Sequence, residues 1–283
     1  MHDHSPELIS RIGRTAQEWR IQVLDMVYRA QSGHIGGSFS AAEIIAALYL
    51  HQLRIDPANP RWADRDRFLL SKGHAVPMLY VALAASGFLR GDELQQLRQL
   101  DSRLPGHPEP HTTPGVEIAA GPLGHGLALA AGMAVGARLD KKNHRFYVLV
   151  GDGETNAGIV WEGAMFAAKY HLDHITAILD CNGVQQTGTT ADVMPSEPLA
   201  DKWRAFGWQV IEIHGHNVHQ ILEGLDAAAE IHSRPTIILA RTTKGKGVSF
   251  MENDFVWHGK PPTETEYRAA RTELEKELVQ WAN

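Results

Sequence analysis

The chain has 283 residues, of which 43% are hydrophobic and 21% are charged, with a formal net charge of −6 and one cysteine. This balance excludes a disordered chain, a disulfide framework and a multi-cysteine metal cluster, and it gives no reason to expect binding to nucleic acid or to a membrane. The N-terminal segment lacks the apolar stretch of a signal peptide and no run of about 18 apolar residues occurs, so we expect a cytoplasmic protein.

The beginning of the chain predicts two helices separated by a glycine-rich break. Apolar residues recur at helical spacing over residues 6–30, and the glycines of residues 32–38 interrupt this pattern. Ser40 with Glu43 three residues later is typical of a capping box, which predicts that a second helix spans residues 41–50.

The rest of the chain alternates short apolar strands with helices. We predict strands over residues 67–71, 146–150, 175–179, 209–213 and 236–240. We predict helices over residues 76–85, 127–139, 159–171, 199–206, 218–229 and 264–279. This alternation indicates an α/β fold, with a mainly parallel sheet and helices on both faces. No linker is visible, so we expect residues 1–283 to form a single domain.

Polar residues follow two neighbouring strands of the predicted sheet. Asp152 stands between two glycines directly after the second strand, and Asn182 follows the third strand thirty residues later. Because adjacent strand ends in a parallel sheet lie about 5 Å apart, a carboxylate and an amide oxygen can converge there on a hard cation such as Mg²⁺. Gly153 has no side chain, so its backbone N–H can approach a phosphate. The alternative is a tight turn in which Asp152 caps the next helix and Asn182 is a turn residue.

The common nucleotide-binding motifs do not fit the glycine-rich strand exits. The dinucleotide fingerprint needs glycine at its first, third and sixth positions, but the sixth position counted from Gly151 is Asn156. The phosphate loop of nucleotide hydrolases ends in Gly-Lys-Ser or Gly-Lys-Thr, whereas Gly247 follows Lys246 here.

The spacing of Gly-Asp-Gly and Asn182 resembles the thiamine diphosphate motif, and segments throughout the chain resemble transketolases. These segments are SGHIGGSFS (32–40), LSKGHAVPMLY (70–80), LPGHPEPHTTPGVE (104–117), GPLGHG (121–126), WRAFGW (203–208) and TTKGKGVSF…WHG (242–259). The sequence is especially similar to the N-terminal subunit of split transketolases, which carries the diphosphate-binding half of the enzyme as a separate polypeptide. The resemblance implies a thiamine diphosphate-binding domain with the α/β fold predicted above.

The resemblance also implies roles for individual residues around thiamine diphosphate and Mg²⁺ (or Ca²⁺). The metal ligands would be Asp152, Asn182 and the backbone carbonyl of Val184. The residues at or beside the cofactor would be His74, Gly153 and His258 at the diphosphate, and Gly121, Pro122 and Leu123 at the aminopyrimidine. The catalytic residues of the substrate channel would be His34, His107 and His258, which would donate hydrogen bonds to sugar hydroxyls and move protons.

Three positions depart from the family pattern. His125 stands where transketolases usually have Gln, and a structural replacement of that hydrogen bond is our first interpretation. Ala157 replaces a Glu that normally joins a carboxylate network across the dimer, although Glu162 of that network is retained. Gln186 stands where an apolar residue often packs against the thiazolium. A further cluster, His214, His216 and His219, resembles a set of metal ligands, but no cysteine supports a zinc site there.

The implied activity is that of a transferase of carbohydrate metabolism, which moves a two-carbon ketol group from a ketose or its phosphate to an aldose. In the family the catalytic Glu and the aromatic pocket for the pyrimidine belong to a second domain, which does not fit in 283 residues. We therefore expect a separate C-terminal partner subunit, with two copies of each chain, and no activity without it. The alternatives are a specialised enzyme with a non-standard sugar or acceptor, and a non-catalytic regulatory homologue.

Overall fold

The computed structural model describes residues 4–281, and its centre is a sheet of five parallel strands in the order β1-β2-β3-β5-β4. The strands are β1 Arg67–Leu70, β2 Phe146–Gly151, β3 Ile175–Cys181, β4 Gln209–His214 and β5 Thr236–Arg241. The predicted α/β class is confirmed.

The α-helices of the described residues are α1 Pro6–Ala30, α2 Ile35–Ser40, α3 Ala42–Ala47, α4 Val76–Ala85, α5 His125–Leu139, α6 Gly158–Lys169, α7 Thr190–Val193, α8 Leu199–Ala205, α9 Val218–Ala229 and α10 Glu264–Gln280. The predicted bounds of α1, α4 and α9 match those of the structure, and the other predicted helices agree to within a few residues. No helix among residues 4–281 is long and apolar enough to cross a membrane.

Helices cover both faces of the sheet, as predicted. Tyr147 and Leu149 of β2 pack into a cluster with α1, α3, α4 and α9 on one face. Phe146, Val148 and Val150 pack into a second cluster with α5, α6 and α8 on the other face. Successive strand residues point to opposite faces, so a strand buried on both faces is apolar along its whole length.

The predicted capping box at Ser40 is wrong. The glycine-rich segment forms α2, and α3 begins after Ala41 without a side-chain cap. The Ser40 hydroxyl donates instead to the Asp180 carboxylate at 2.6 Å. Close packing explains a glycine in helix α2. A Cβ atom on Gly36 would lie 2.9 Å from the carbonyl oxygen of Trp257.

The third strand extends two residues beyond its predicted end at residue 179. Asp180 and Cys181 continue to pair with β5, where they lie opposite Ala240 and Arg241. Asp180 is fully buried because the Lys72 ammonium offsets its charge. A carboxylate inside a β-strand therefore lies directly beneath the ends of the central strands, where the loops that follow them converge.

Candidate functional site

A cavity of about 210 Å³ lies at the carboxyl ends of the strands. Four of the five strands contribute a polar residue from the loop that follows them, namely His74 after β1, Asp152 after β2, Asn182 after β3 and Lys244 after β5. Ligand sites of open parallel sheets form at this edge, because the loops that follow adjacent strands meet there.

Asp152 lies in the wall of this cavity and is 4% exposed. Its Oδ1 accepts from the Gly153 N–H at 2.8 Å, and its Oδ2 accepts from the Gly183 N–H at 2.6 Å. Burial, together with the nearby negative charge of Asp180, raises the pKa of Asp152 to about 6. A bound divalent cation would therefore stabilise the ionised form of Asp152.

Asn182 and Val184 bring two further oxygens to the same cavity. The Asn182 amide donates through Nδ2 to Asp180 Oδ2 at 3.1 Å, which identifies its other amide atom as the oxygen. The Val184 carbonyl oxygen accepts from Lys244 Nζ at 2.9 Å. A carboxylate, an amide oxygen and a backbone carbonyl are the donors that Mg²⁺ and Ca²⁺ prefer, so the residues predicted to bind metal fit such an ion.

The four histidines to which the family resemblance assigns roles lie close together above this wall. The rings of His74 and His258 stack with centroids 4.8 Å apart. The His34 ring lies 5.3 Å from that of His74 and 5.4 Å from that of His258. His107 completes the group at 6.3 Å from His34. Different elements carry them: His34 precedes α2, His74 and His258 lie in 3₁₀ turns, and His107 lies in the long loop before α5.

All four imidazoles are neutral near neutral pH. Burial, helped by the charges of Arg98 and Lys244, lowers the pKa of His34 to about 4. Burial and the neighbouring Lys244 lower the pKa of His258 to about 3. The pKa values of His74 and His107 are lowered as well, chiefly by burial. The group therefore offers N–H donors and lone pairs without carrying charge of its own.

Sequence reasoning did not identify Lys72 and Lys244, two buried lysines of the cavity. Lys72 forms an ion pair with Asp180 and donates to the Gly37 carbonyl at 2.8 Å. Lys244 Nζ donates to His258 Nδ1 at 2.8 Å, which leaves the ring proton of His258 on Nε2. Burial and the charge of Lys72 lower the pKa of Lys244 to about 8. The signal in the sequence was a lysine next to a glycine, two residues after the end of β1 for Lys72 and three residues after the end of β5 for Lys244.

Glu154 is a third residue that sequence reasoning missed. Its buried carboxylate accepts from the Gly124 N–H at 2.6 Å and from the Gly151 N–H at 2.9 Å. It thereby ties the loop before α5 to the end of β2. In that loop Gly121 is exposed, and Leu123 lines the cavity with 44% of its surface exposed.

The three departures from the family pattern lie at or near the cavity. His125 is the exposed first residue of α5, and its Nδ1 lies 3.2 Å from the Leu123 carbonyl oxygen. Ala157 packs near the loop before α5, since a Cβ atom on Gly124 would lie 2.9 Å from that of Ala157. Gln186 lines the cavity itself. Of the three, Gln186 is the position where a side chain can contact a ligand directly.

In the cluster of His214, His216 and His219, two of the side chains contact carboxylates of the chain itself. His216 Nδ1 lies 2.9 Å from a Glu43 oxygen, and His219 Nδ1 lies 3.2 Å from a Glu223 oxygen at the surface. Within residues 4–281, no group of three or more His, Cys, Asp or Glu side chains has the arrangement of a metal site.

Comparison with known proteins places these features in a family. The family profile described as the transketolase thiamine diphosphate-binding domain matches residues 13–279. The chain is 43% identical to the 6-deoxy-6-sulfo-D-fructose transketolase subunit of Clostridium sp. (strain MSTE9), over 90% of this chain and 92% of that protein. It is 41% identical to an apulose-4-phosphate transketolase subunit of Phocaeicola vulgatus, over 92% of each.

Among solved structures, the transketolase from Campylobacter jejuni superposes with a TM-score of 0.88 at 32% identity. The match covers 96% of this chain but only 45% of that transketolase. The chain thus has about the length of the subunits named above and about half the length of the solved enzyme.

Proposed function

Because this chain belongs to the transketolase family, we propose that it is one subunit of a thiamine diphosphate- and Mg²⁺-dependent enzyme that transfers a two-carbon ketol group from a ketose to an aldose. The observation that carries the proposal is the cavity in which Asp152, Asn182 and Val184 face a group of neutral histidines. On this proposal residues 1–283 form one thiamine diphosphate-binding domain and act in cytoplasmic carbohydrate metabolism.

Asp152, Asn182 and the Val184 carbonyl would hold Mg²⁺ (or Ca²⁺), and the diphosphate would lie beside them. The pKa of Asp152, raised to about 6 by burial and by Asp180, supports this assignment, since a cation relieves the buried charge. His74, His258 and the Gly153 amide would donate to the diphosphate oxygens. Bound thiamine diphosphate supplies the electron sink for breaking and forming the carbon–carbon bond.

The backbone of Gly121 and Leu123 would contact the aminopyrimidine ring. Glu154 supports this role, because its hydrogen bond to Gly124 fixes the loop that carries both residues. Both residues are exposed in this chain, so the ring would be covered from the other side by another subunit.

His34, His107 and His258 would bind the sugar hydroxyls and move protons. The buried Nδ1 of His34 has no hydrogen-bond partner among residues 4–281, so this ring, which lies beside His74 and His258, has an unused hydrogen-bonding atom. The Nε2 proton of His258 is available as a donor, because Nδ1 already accepts from Lys244. A neutral imidazole can also accept a proton as the carbon–carbon bond breaks.

The partner would be a C-terminal transketolase subunit on a separate chain, with two copies of each chain in the assembly. Two relatives of about the same length carry the word subunit in their names, which supports a two-chain enzyme. Large apolar side chains on the neighbouring helices α5 and α6, and on the residue that follows α6, are more than two-fifths exposed, as at interfaces; they are Leu129, Met165, Phe166 and Tyr170.

A second candidate is an enzyme of the same type that acts on a non-standard sugar. The presence of Gln186 in the cavity favours it, because an amide there can form hydrogen bonds that an apolar residue cannot. The two relatives above are named for 6-deoxy-6-sulfo-D-fructose and for apulose 4-phosphate, and they share about two-fifths of their residues with this chain.

The test is reconstitution with the C-terminal subunit. Thiamine diphosphate and Mg²⁺ are titrated by calorimetry into this chain and into the complex, and ketol transfer is then assayed on a panel of ketoses and aldoses. We expect turnover only in the complex. Turnover by this chain alone would contradict the two-chain enzyme, and a complex that binds no cofactor would point to a non-catalytic homologue.

A further inference from the structure

His216 lies in the turn between β4 and α9, outside the cavity, and its side chain is 8% exposed. Its ring nitrogens have two different partners. Nδ1 lies 2.9 Å from Glu43 Oε2, and Nε2 accepts from the backbone N–H of Thr243 at 2.8 Å. Because a neutral imidazole has one N–H and one lone pair, this arrangement fixes the tautomer with the proton on Nδ1.

Glu43 determines which nitrogen carries the proton. Burial raises the pKa of this carboxyl, but Arg20 and His216 outweigh burial and lower it to about 2, so Glu43 is ionised. Arg20 Nη2 donates to Glu43 at 2.6 Å and to the Phe39 carbonyl at 3.0 Å. An ionised carboxylate accepts only, so Nδ1 of His216 must donate and Nε2 keeps its lone pair.

The Nε2 lone pair of His216 accepts from the backbone N–H of Thr243, the residue immediately before Lys244. The neighbouring residues of this segment are also anchored: Thr242 Oγ1 donates to Asp180, and the Gly245 N–H donates to the Gly36 carbonyl at 3.1 Å. Lys244 extends from between these anchors to the Val184 carbonyl and to His258. The direction of the lysine side chain therefore depends on where the Thr243 peptide is held.

We propose that His216 is a positioning residue for Lys244: its Nε2 lone pair fixes the Thr243 peptide and so directs the Lys244 ammonium at the anion-binding end of the cavity. This rests on the proposed function only in taking a diphosphate as that anion. The geometry of the hydrogen bonds does not depend on it.

Two substitutions of His216 distinguish the effect of losing the Nε2 lone pair from the effect of changing the side-chain volume. A glutamine amide reaches the position of Nε2 and can still accept from Thr243, whereas an asparagine amide reaches only the position of Nδ1. We expect His216→Asn to weaken the binding of Mg²⁺ with inorganic pyrophosphate, and of thiamine diphosphate, about tenfold, and His216→Gln to weaken it less than about threefold. His219→Gln, on the exposed surface of α9, is the control and should bind like the wild type.

A second measurement tests the hydrogen bond between Thr243 and His216 in the absence of ligand. In the full-length chain we expect the Thr243 amide to exchange slowly with deuterium, and His216→Asn to speed that exchange while His216→Gln does so less. Nitrogen chemical shifts of His216 should report a neutral ring protonated on Nδ1. A ring protonated on Nε2, or equal exchange at Thr243 in both variants, would overturn the proposal. Failure of the wild type to bind pyrophosphate or the cofactor would contradict the proposed function instead.

Discussion

The ammonium group of Lys72 lies against the carboxylate of Asp180 beneath the cavity, and neither side chain is more than 2% exposed. A buried charge that loses its partner costs more than the pair itself contributes. We expect Asp180→Asn to reduce the free energy of unfolding by about 3 kcal/mol, measured by urea denaturation. Lys142→Met, which breaks the exposed pair with Asp64, should cost less than about 1 kcal/mol. Equal effects of the two substitutions would contradict the importance of the buried pair.

Replacement of Asp152 tests the metal site. Asp152→Asn keeps the size of the side chain but removes the negative charge that a divalent cation needs. We expect calorimetry to detect no Mg²⁺-dependent binding of thiamine diphosphate to this variant, and addition of EDTA to the wild type should have the same effect. Asp201→Asn, at an exposed position of α8, is the matched control. Retained Mg²⁺-dependent binding by Asp152→Asn would rule out this carboxylate as a ligand.

Gly73, between Lys72 and His74, tests the packing of the β1 exit against the loop before α5. A Cβ atom at this position would overlap the Ala120 carbonyl oxygen, so Gly73→Ala must displace one of the two backbones. We expect it to lower stability by about 1–3 kcal/mol in thermal melts and to weaken cofactor binding. Gly91→Ala has open space around the new methyl group and should leave both unchanged.

The buried pair of Arg20 and Glu43 predicts a pH dependence of stability. Burial raises the pKa of Glu43, but Arg20 and His216 together lower it from 4.5 to about 2. A group whose pKa is lower in the folded chain stabilises it above the unfolded value, so this contribution should be complete above pH 4.5 and decline as the pH falls toward 2. Melting temperatures of Glu43→Gln should be lower than wild type at neutral pH and should approach it in acid. A constant difference at all pH values would contradict this.

The protonation of His34 can be followed by NMR titration. Burial, Arg98 and His107 lower its pKa to about 4, so the ring should stay neutral from pH 8 down to about 5. Arg98→Gln removes one of the nearby positive charges and should raise the midpoint without restoring the ordinary value of 6.5, because burial remains. A midpoint near 6.5 in the wild type would show that His34 is solvated.

The sequence predicted the parts of the site that depend on regular structure. Asp152 and Asn182 follow short apolar runs that predict strands of a parallel sheet, and neighbouring parallel strands end at the same edge of the sheet. The convergence of the four histidines followed from family motifs rather than from spacing, because His34 and His107 lie in irregular segments whose path cannot be derived from periodicity.

The buried charges could not be predicted in the same way. Lysines next to glycine are normally solvated, and only the fold brings Lys72 onto Asp180 and Lys244 onto the Val184 carbonyl. The capping box failed for a related reason: Ser40 has a tertiary partner in Asp180, and a bond to a buried carboxylate outweighs a local helix cap.

The pairing of β1 with β2 brings together strands that are separated along the chain by α4, the whole of the long loop and α5. His74 and Asp152 follow these two strands, so they become neighbours only when that long segment closes. Closing it costs chain entropy before any contact compensates for it, and such pairings form slowly. The ligand-binding edge of the sheet is therefore absent from every partly folded state that lacks this pairing, and cofactor binding in a refolding chain reports completion of the sheet.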